Sequence, residues 1–569
     1  MNSIRIVVIC FLALIVKSAN CQNKIWGMTA MGGSNGFGVI FTTNADGSGY
    51  QVIHHFDGVN GKYPESKLVK APNGKFYGTT LSGGTNNDGV LFEIDQNGNF
   101  SKKIDFHDPT IGSRIQGGLA LGHNGKLYGA TWSGGVNYDG TIFEYDIQNG
   151  ILNKLVDLDN EGLATGSFPF GSLVLAYNGK FYGTCYAGGG HGHGVIFELD
   201  PTTGTVTKKF DLTADTGVSP AFNMTLASNG KLYGTAGGGG AYGHGTIFVF
   251  DPTTGSCEKV HDFDGTDTGA IPLGTLTLAY DGKLYGTTSW GGQYNNGILF
   301  EFDYRHQTIT KRFDFDEIET GKAPRSGLLQ SSNGKLYGTT EQGGVHSQGV
   351  IFEFNPKNGS FVKKLDFSLP DGGQAQSCEM TLLGNYDRAV QVINFDPSQA
   401  LDIEKLVVEL PATASSGLPL VYYSSDPEVA SVSENKLRIH KIGTVTLTAT
   451  QPGNANFHAA PDVSRLLSVD SVAKTELITG IEKDPDVSFD VIVKENPFRA
   501  TLKFQVNSAH QTAASIVLYT MKGERIHESQ VQTNTPIEFQ NDFKPGLYLL
   551  GVQSDQGRKV VKVLCMSEP

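Results

Sequence analysis

One phrase of residues recurs seven times along this chain. Its clearest copy runs Asn333-Gly-Lys-Leu-Tyr-Gly-Thr-Thr, then Gly343-Gly344, then Gly349-Val-Ile-Phe-Glu-Phe. The glycine after its aromatic falls at Gly27, Gly78, Gly129, Gly183, Gly234, Gly286 and Gly338, at intervals of 51, 51, 54, 51, 52 and 52 residues. A fixed period of roughly 40–50 residues is that of four-stranded units repeated radially. Such a period excludes one continuous core, which 569 residues would also overfill.

Each repeat carries four strand signals, A to D, separated by turn chemistry. Strand A is Leu276-Thr-Leu-Ala-Tyr, and the Asn178-Gly179 or Asp281-Gly282 type of pair that follows tolerates the positive φ of a tight turn. Strand B is Leu284-Tyr-Gly-Thr-Thr, and strand C is Gly245-Thr-Ile-Phe-Val-Phe-Asp. Pro252 to Gly255 turns the chain towards a strand D such as Lys311-Arg-Phe-Asp-Phe. Phe41, Phe92, Phe143, Phe197, Phe248, Phe300 and Phe352 mark strand C, and Trp26, Tyr77, Tyr128, Tyr182, Tyr233, Tyr285 and Tyr337 mark strand B. Identical positions in every unit serve a repeated core rather than one ligand. The strand B glycine reads as a close backbone approach between sheets.

The first repeat begins at Ile25, already in strand B, and Met380-Thr-Leu-Leu-Gly has the wording of the missing strand A. The expectation is an all-β fold: a seven-bladed β-propeller over residues 22–388, closed by a C-terminal strand that removes the open edges of the array.

In that arrangement the A–B and C–D turns share one face. The more variable B–C and D–A loops share the other, where binding is expected. The B–C loops offer Asn86, Asn137, His193, His244 and Tyr294, with Trp132, Tyr186 and Trp290 just before the Gly-Gly pair. The D–A loops follow Gly-x-x-Pro (Gly61–Pro64, Gly269–Pro272, Gly321–Pro324) and deliver Glu65, Gln116, Phe170 and Arg325 near the innermost strand. Amides and aromatics on one rim suit a glycan; solvated polar loops would have the same composition. His191, His193 and His244 sit in Gly-rich loops without a matching carboxylate or cysteine, so no metal and no other cofactor is expected. Asp46-Gly47 is a turn without the further ligands of a calcium loop. Acidic pairs such as Asp314/Asp316 recur on strand D and read as structural. No nucleophile-base order or phosphate loop occurs, so no catalytic residue is assigned.

Residues 1–21 read as a signal peptide: Arg5, an apolar run from Ile6 to Val16, then small residues before Gln22. A lipoprotein reading would acylate Cys21 but lacks the upstream leucine. The apolar run ends at Lys17, short of the roughly 20 residues of a membrane span. A net charge of −13 without a basic block argues against nucleic acid as partner. Cys185, Cys257, Cys378 and Cys565 fall at unrelated positions and read as thiols, not a disulfide framework.

The stretch from Gly38-Val-Ile-Phe through His54-His-Phe-Asp, Gly61-x-x-Pro64 and Asn73-Gly-Lys-Phe-Tyr-Gly-Thr-Thr resembles the Gloeobacter/Verrucomicrobia (GloVer) tandem repeat. That family occurs in exported proteins and brings no catalytic residues. The Gly-Gly closing strand B also looks like kelch propellers, without their strand D tryptophan. Residues 389–470, with Tyr423-Ser-Ser-Asp-Pro-Glu-Val-Ala-Ser-Val and Gly443-Thr-Val-Thr-Leu-Thr-Ala, resemble bacterial immunoglobulin-like spacers. Residues 471–486 read as a linker. Residues 487–569 contain Glu495-Asn-Pro-Phe498, Val517-Leu-Tyr-Thr-Met-Lys-Gly523 and Pro545-Gly-Leu-Tyr-Leu-Leu550, and look like the type IX secretion sorting domain of Bacteroidetes. That resemblance implies export through the periplasm to the outer-membrane surface or beyond, with the secretion machinery as partner. The expected role is binding an extracellular glycan or protein ligand; the rivals are a polysaccharide lyase or hydrolase over the central channel and a matrix scaffold.

Overall fold

A computed structural model gives the fold. It describes residues 24–159, 165–220, 223–375, 378–383, 391–395, 407–411, 413–433, 435–441, 443–451, 453, 457, 460–469, 489–494, 501–508, 511–520, 525–540, 546–554 and 557–565. The signal peptide with Cys21, the 471–486 linker and the Glu495–Phe498 motif lie outside the described residues.

Every secondary-structure element among the described residues is a strand. Between Lys24 and Leu382 the strands form seven antiparallel sheets, none closed on itself. Sheet II is typical: Val69–Lys70, Phe76–Thr79, Val90–Ile94 and Phe100–Asp105 lie side by side in chain order. Strand A is only two residues long in every sheet, shorter than its wording suggests; in the sheets after the first, the turn built on Asn-Gly or Asp-Gly follows at once. Sheet I takes its fourth strand from far along the chain. Thr381–Leu382 pairs with Lys24–Thr29, opposing Trp26 to Thr381 and Ile25 to Leu382. The segment after Met380 thus supplies the strand A that the first repeat lacks, as its wording suggests.

Each strand C faces one extra residue on its strand D, such as Ile53. Its ladder with strand D shifts register just before the marker phenylalanine, between Ile40/Phe41, Leu91/Phe92, Ile142/Phe143, Ile196/Phe197, Ile247/Phe248, Leu299/Phe300 and Ile351/Phe352. A bulge there adds twist. On its other side strand C pairs regularly with strand B and puts the phenylalanine directly opposite the glycine, as in Gly183↔Phe197. A Cβ on Gly183 would lie 2.5 Å from Phe197 Cζ and 2.8 Å from Leu173 Cδ2. The glycine therefore makes room for a ring of its own sheet, not for a neighbouring backbone as the spacing suggested.

Consecutive sheets share apolar cores. Tyr77, Phe106 and Phe143 join sheets II and III, and Tyr285, Phe315 and Phe352 join VI and VII. Trp26, Phe41, Tyr337 and Phe367 join the last sheet to the first. The strand B tyrosines carry a polar task that the sequence reading missed. Tyr182 Oη donates to Glu198 at 2.5 Å, Asn178 Nδ2 donates to Tyr182 Oη at 2.9 Å, and Lys180 Nζ pairs with Glu198 at 2.8 Å. Equivalent sets surround Glu93, Glu144 and Glu353. Asn, Lys and Tyr at i, i+2 and i+4, with Glu at i+20, are the pattern that would have revealed them.

Burial opposes ionisation of these four glutamates, but hydrogen bonds from the lysine and tyrosine prevail and hold each carboxyl below its usual range. A depressed folded pKa stabilises above the unfolded value and loses that contribution as pH falls through the folded one. Thermal melts should therefore drop steeply below about pH 4.5. Glu198→Gln should cost about 1–3 kcal/mol at pH 7 and much less at pH 3, because Lys180 loses its anion only where that anion existed. An equal cost at both pH values would refute the charge argument.

By contacts the chain divides into two units, the first comprising Met1–Asn394, Thr413–Leu420 and Thr450–Val463. In the remainder, a three-stranded sheet orders Val407–Glu409, Lys436–Ile439 and Ala430–Ser433. Beyond Phe489, a three-stranded and a four-stranded sheet enclose Leu502, Phe504, Ile516, Leu518, Leu550 and Val552. No helix among the described residues is long and apolar enough to cross a membrane.

Candidate functional site

The B–C loops are held rigidly for loops so rich in glycine. The aspartate ending strand D accepts a backbone N–H from the B–C loop of its own sheet: Asp105 from Thr85 (2.8 Å), Asp157 from Val136 (3.0 Å) and Asp314 from Gln293 (2.8 Å). A lysine three residues earlier pairs with each, as Lys102 does at 2.9 Å. These are the recurring strand D acids, and their carboxylates are spent on loop anchoring. Asn86 and Asn137 act likewise, donating to the Phe106 and Leu158 carbonyls at 3.0 and 2.9 Å. One of the two amide N–H donors of each is thus committed to the scaffold.

The D–A loops make one sharp turn each. Tyr63, Arg114, Phe168, Ser219, Ile271, Ala323 and Gln374 all take φ between 50° and 59°. Non-glycine residues there are strained and persist only where the surroundings fix them. What fixes them is repeated seven times: each donates its N–H to a B–C loop carbonyl of the preceding sheet, on Phe37, Asp88, Asp139, His193, His244, Asn296 and Gln348 in turn. His193 and His244 therefore contribute backbone acceptors as well as rings. Among the described residues, no group of three or more His, Cys, Asp or Glu could hold a metal ion.

Two residues past three of these turns stand Glu65, Gln116 and Phe170. They converge on an inner pocket of about 20 Å³, whose wall also includes Lys67, Ser172 and Glu379. Lys67 pairs with Glu379 at 3.4 Å. Arg325, from an equivalent place, pairs with the buried Glu341 at 3.0 Å. Glu65 has a hydrogen bond from Gln116 but no ion-pair partner among the described residues. Burial pushes its carboxyl up to about 7, against the Gln116 bond and with help from the Glu341 charge. The Cys378 thiol nearby is also pushed up by burial, and donates to the Pro64 carbonyl at 3.0 Å.

Aromatic rings stand on the B–C and D–A loops. Trp132 stacks on Phe168 (4.9 Å between centroids), with the Arg114 guanidinium 5.7 Å from its ring. Phe170 lies 6.5 Å from Tyr186. Tyr186, Trp290 and Tyr294 are 42, 47 and 50% exposed. Of the sequence-predicted site residues, Glu65 therefore meets Gln116 and Phe170, Phe170 approaches Tyr186, and Arg325 is tied to Glu341. Trp132 is held by Phe168. Sequence reasoning missed Lys67, Glu341 and Glu379, because each breaks the repeat at a position where the other copies carry different residues.

The model of the Gloeobacter/Verrucomicrobia repeat matches residues 13–165, 108–280 and 267–386. The chain belongs to this repeat family. Within this GloVer protein a second model, the secretion system C-terminal sorting domain, matches residues 496–566. This type IX sorting domain marks the protein for export to the outer-membrane surface or the extracellular space, and implies the type IX machinery as its partner. No curated protein matches the GloVer chain. Among solved structures, a candidate 6-phosphogluconolactonase from Bacteroides uniformis is similar at 16% identity and TM-score 0.46, covering 63% of this chain and 100% of its own. Its counterpart from Bacteroides fragilis is 16% identical at TM-score 0.43, covering 63% and 98%. The extracellular domain of a one component system from B. thetaiotaomicron is 10% identical at TM-score 0.38, covering 97% and 100%. None of these three likenesses carries an argument about activity.

Proposed function

We propose that the seven sheets are the blades of a seven-bladed β-propeller, closed by Thr381–Leu382 and displayed outside the cell to bind a glycan. The cyclic order of shared cores supports the propeller, and kelch-like is the nearest description of its blade. Residues 389–470 then serve as an immunoglobulin-like spacer before the sorting domain. The observation that carries the glycan reading is the set of exposed aromatics on loops anchored by the scaffold. Tyr186, Trp290 and Tyr294 present flat apolar faces at low conformational cost, and pyranose rings stack on such faces.

The test is a glycan array and polysaccharide pulldown with the exported protein, with product analysis on every hit. Trp290→Ala and Tyr186→Ala should each weaken binding about tenfold or more while leaving the melting temperature within a degree or two, since both rings are half exposed. Turnover of a bound polysaccharide would move the protein to the enzyme class. Absence of any glycan ligand would leave the scaffold reading ahead.

A further inference from the structure

The inner pocket differs from the rim around it in charge and in size. Its volume of about 20 Å³ admits a group the size of a water molecule and not a sugar ring. Its cations are already spoken for, Lys67 by Glu379 and, close by, Arg325 by Glu341. Glu65 alone of the three carboxylates has no ion-pair partner among the described residues. Phe170, in the same wall, stands beside Tyr186. A small cationic tip fits this combination. It would neutralise the one unpaired carboxylate, while the body of the ligand stays outside against an aromatic face.

We propose that the pocket receives the ammonium group of an amine-bearing sugar, with Glu65 as its counter-charge and the Phe170–Tyr186 pair as the surface on which the sugar lies. This rests on the glycan reading above and adds the chemical class of the glycan. A hydroxyl would fill the same space but leave Glu65 without a cation. A ring bearing a scissile bond would not enter, which sets the pocket apart from a hydrolytic cleft.

The charge state of Glu65 ties binding to pH. The groups facing it are Glu341, held by Arg325, the Gln116 amide and the Cys378 thiol, with the Lys67–Glu379 pair in the same wall. Its carboxyl titrates at about 7, so most molecules carry the proton at pH 6 and have lost it by pH 8. An ammonium ligand prefers the ionised form, and its affinity should rise about tenfold over that interval.

The experiment uses the full chain and a panel of xylo-, cello-, manno- and chito-tetraoses. Each carries either a 2-aminoethyl or a 2-hydroxyethyl group, and the amine stays charged across the range. Calorimetry at pH 6 and pH 8 should show the aminoethyl member of a bound pair gaining about tenfold at the higher pH, with its hydroxyethyl twin unchanged. Glu65→Gln should abolish the gain of the aminoethyl member at the higher pH. If hydroxyethyl and aminoethyl members bind alike at both pH values, the ammonium proposal is wrong and the glycan reading stands. If neither member of any pair binds, both are wrong. Should Glu65→Gln fail to fold, the paired comparison on the unaltered protein still decides. Equally tight binding of trilysine would overturn the assignment to a sugar.

Discussion

Gly183→Ala should lower the stability of the repeat region by about 3 kcal/mol, although it adds one methyl group to a strand that tolerates alanine. The methyl would sit 2.5 Å from Phe197 Cζ and 2.8 Å from Leu173 Cδ2. Phe197 has no exposed surface and Leu173 is 5% exposed, so neither can swing out to solvent. Interiors this dense relieve a clash by leaving good rotamers or shifting backbone, which costs energy either way. The control is Gly179→Ala in the A–B turn of the same sheet. There φ is +78° and no atom stands within 4 Å of the added Cβ, so only the dihedral cost of about 1 kcal/mol applies. Combining Gly183→Ala with Phe197→Leu should recover part of the loss, because the smaller side chain vacates the space. Denaturant melts of the four proteins check this. Equal costs for Gly183→Ala and Gly179→Ala would show that the ring-over-glycine packing is not what the glycine is for.

The second large effect concerns the join between the ends of the repeat array. Met380 and Leu383 are buried, and Leu383 donates its N–H to the Lys24 carbonyl at 2.9 Å. Thr381 opposes Trp26 and donates its hydroxyl to the Leu68 carbonyl at 2.8 Å. Met380→Asp with Thr381→Pro puts a charge into an apolar site and removes a hydrogen-bonding side chain from the ladder. The expected cost is about 3–5 kcal/mol. Its signature should be local first: sheet I would open before the others. Trp26 is 2% exposed and stacks on Phe76 at 5.3 Å. With Trp132 and Trp290 replaced by Phe, its emission should shift to the red at denaturant concentrations where the other sheets remain intact. The freed edge of Lys24–Thr29 should also promote self-association, since an unpaired strand is a template for another chain. One cooperative transition at unchanged midpoint would mean that this short strand does not close the array.

Both predictions concern features that a reader of the sequence could locate but only half explain. The recurring glycine was visible from its period. Its partner was not, because the ring that crowds it sits fourteen residues away on strand C and meets it only through the pairing of the two strands. Asn86 and Asn137 stood out as polar loop residues; the structure puts their amides on backbone carbonyls twenty or so residues on. Glu65 follows a Gly-x-x-Pro signal, which places it on a D–A loop. That it has no ion-pair partner among the described residues follows from Lys67 and Arg325 being taken by Glu379 and Glu341, the first pair joining residues far apart in the chain.

The sequence by itself determined the period, the four strands of each unit, the strand A that the segment at Met380 lends to the first sheet and the sorting domain at the C-terminus. Those are local or periodic properties: alternation, turn residues and repeated wording act over a few residues and are written many times over. Only the tertiary structure decided which carboxylate stands unpaired, which polar loop residues are committed to the scaffold and which aromatics remain exposed. These depend on single departures from the repeat meeting one another across several sheets. A departure made once carries no periodic signal, and its neighbours are set by the folding of the whole array.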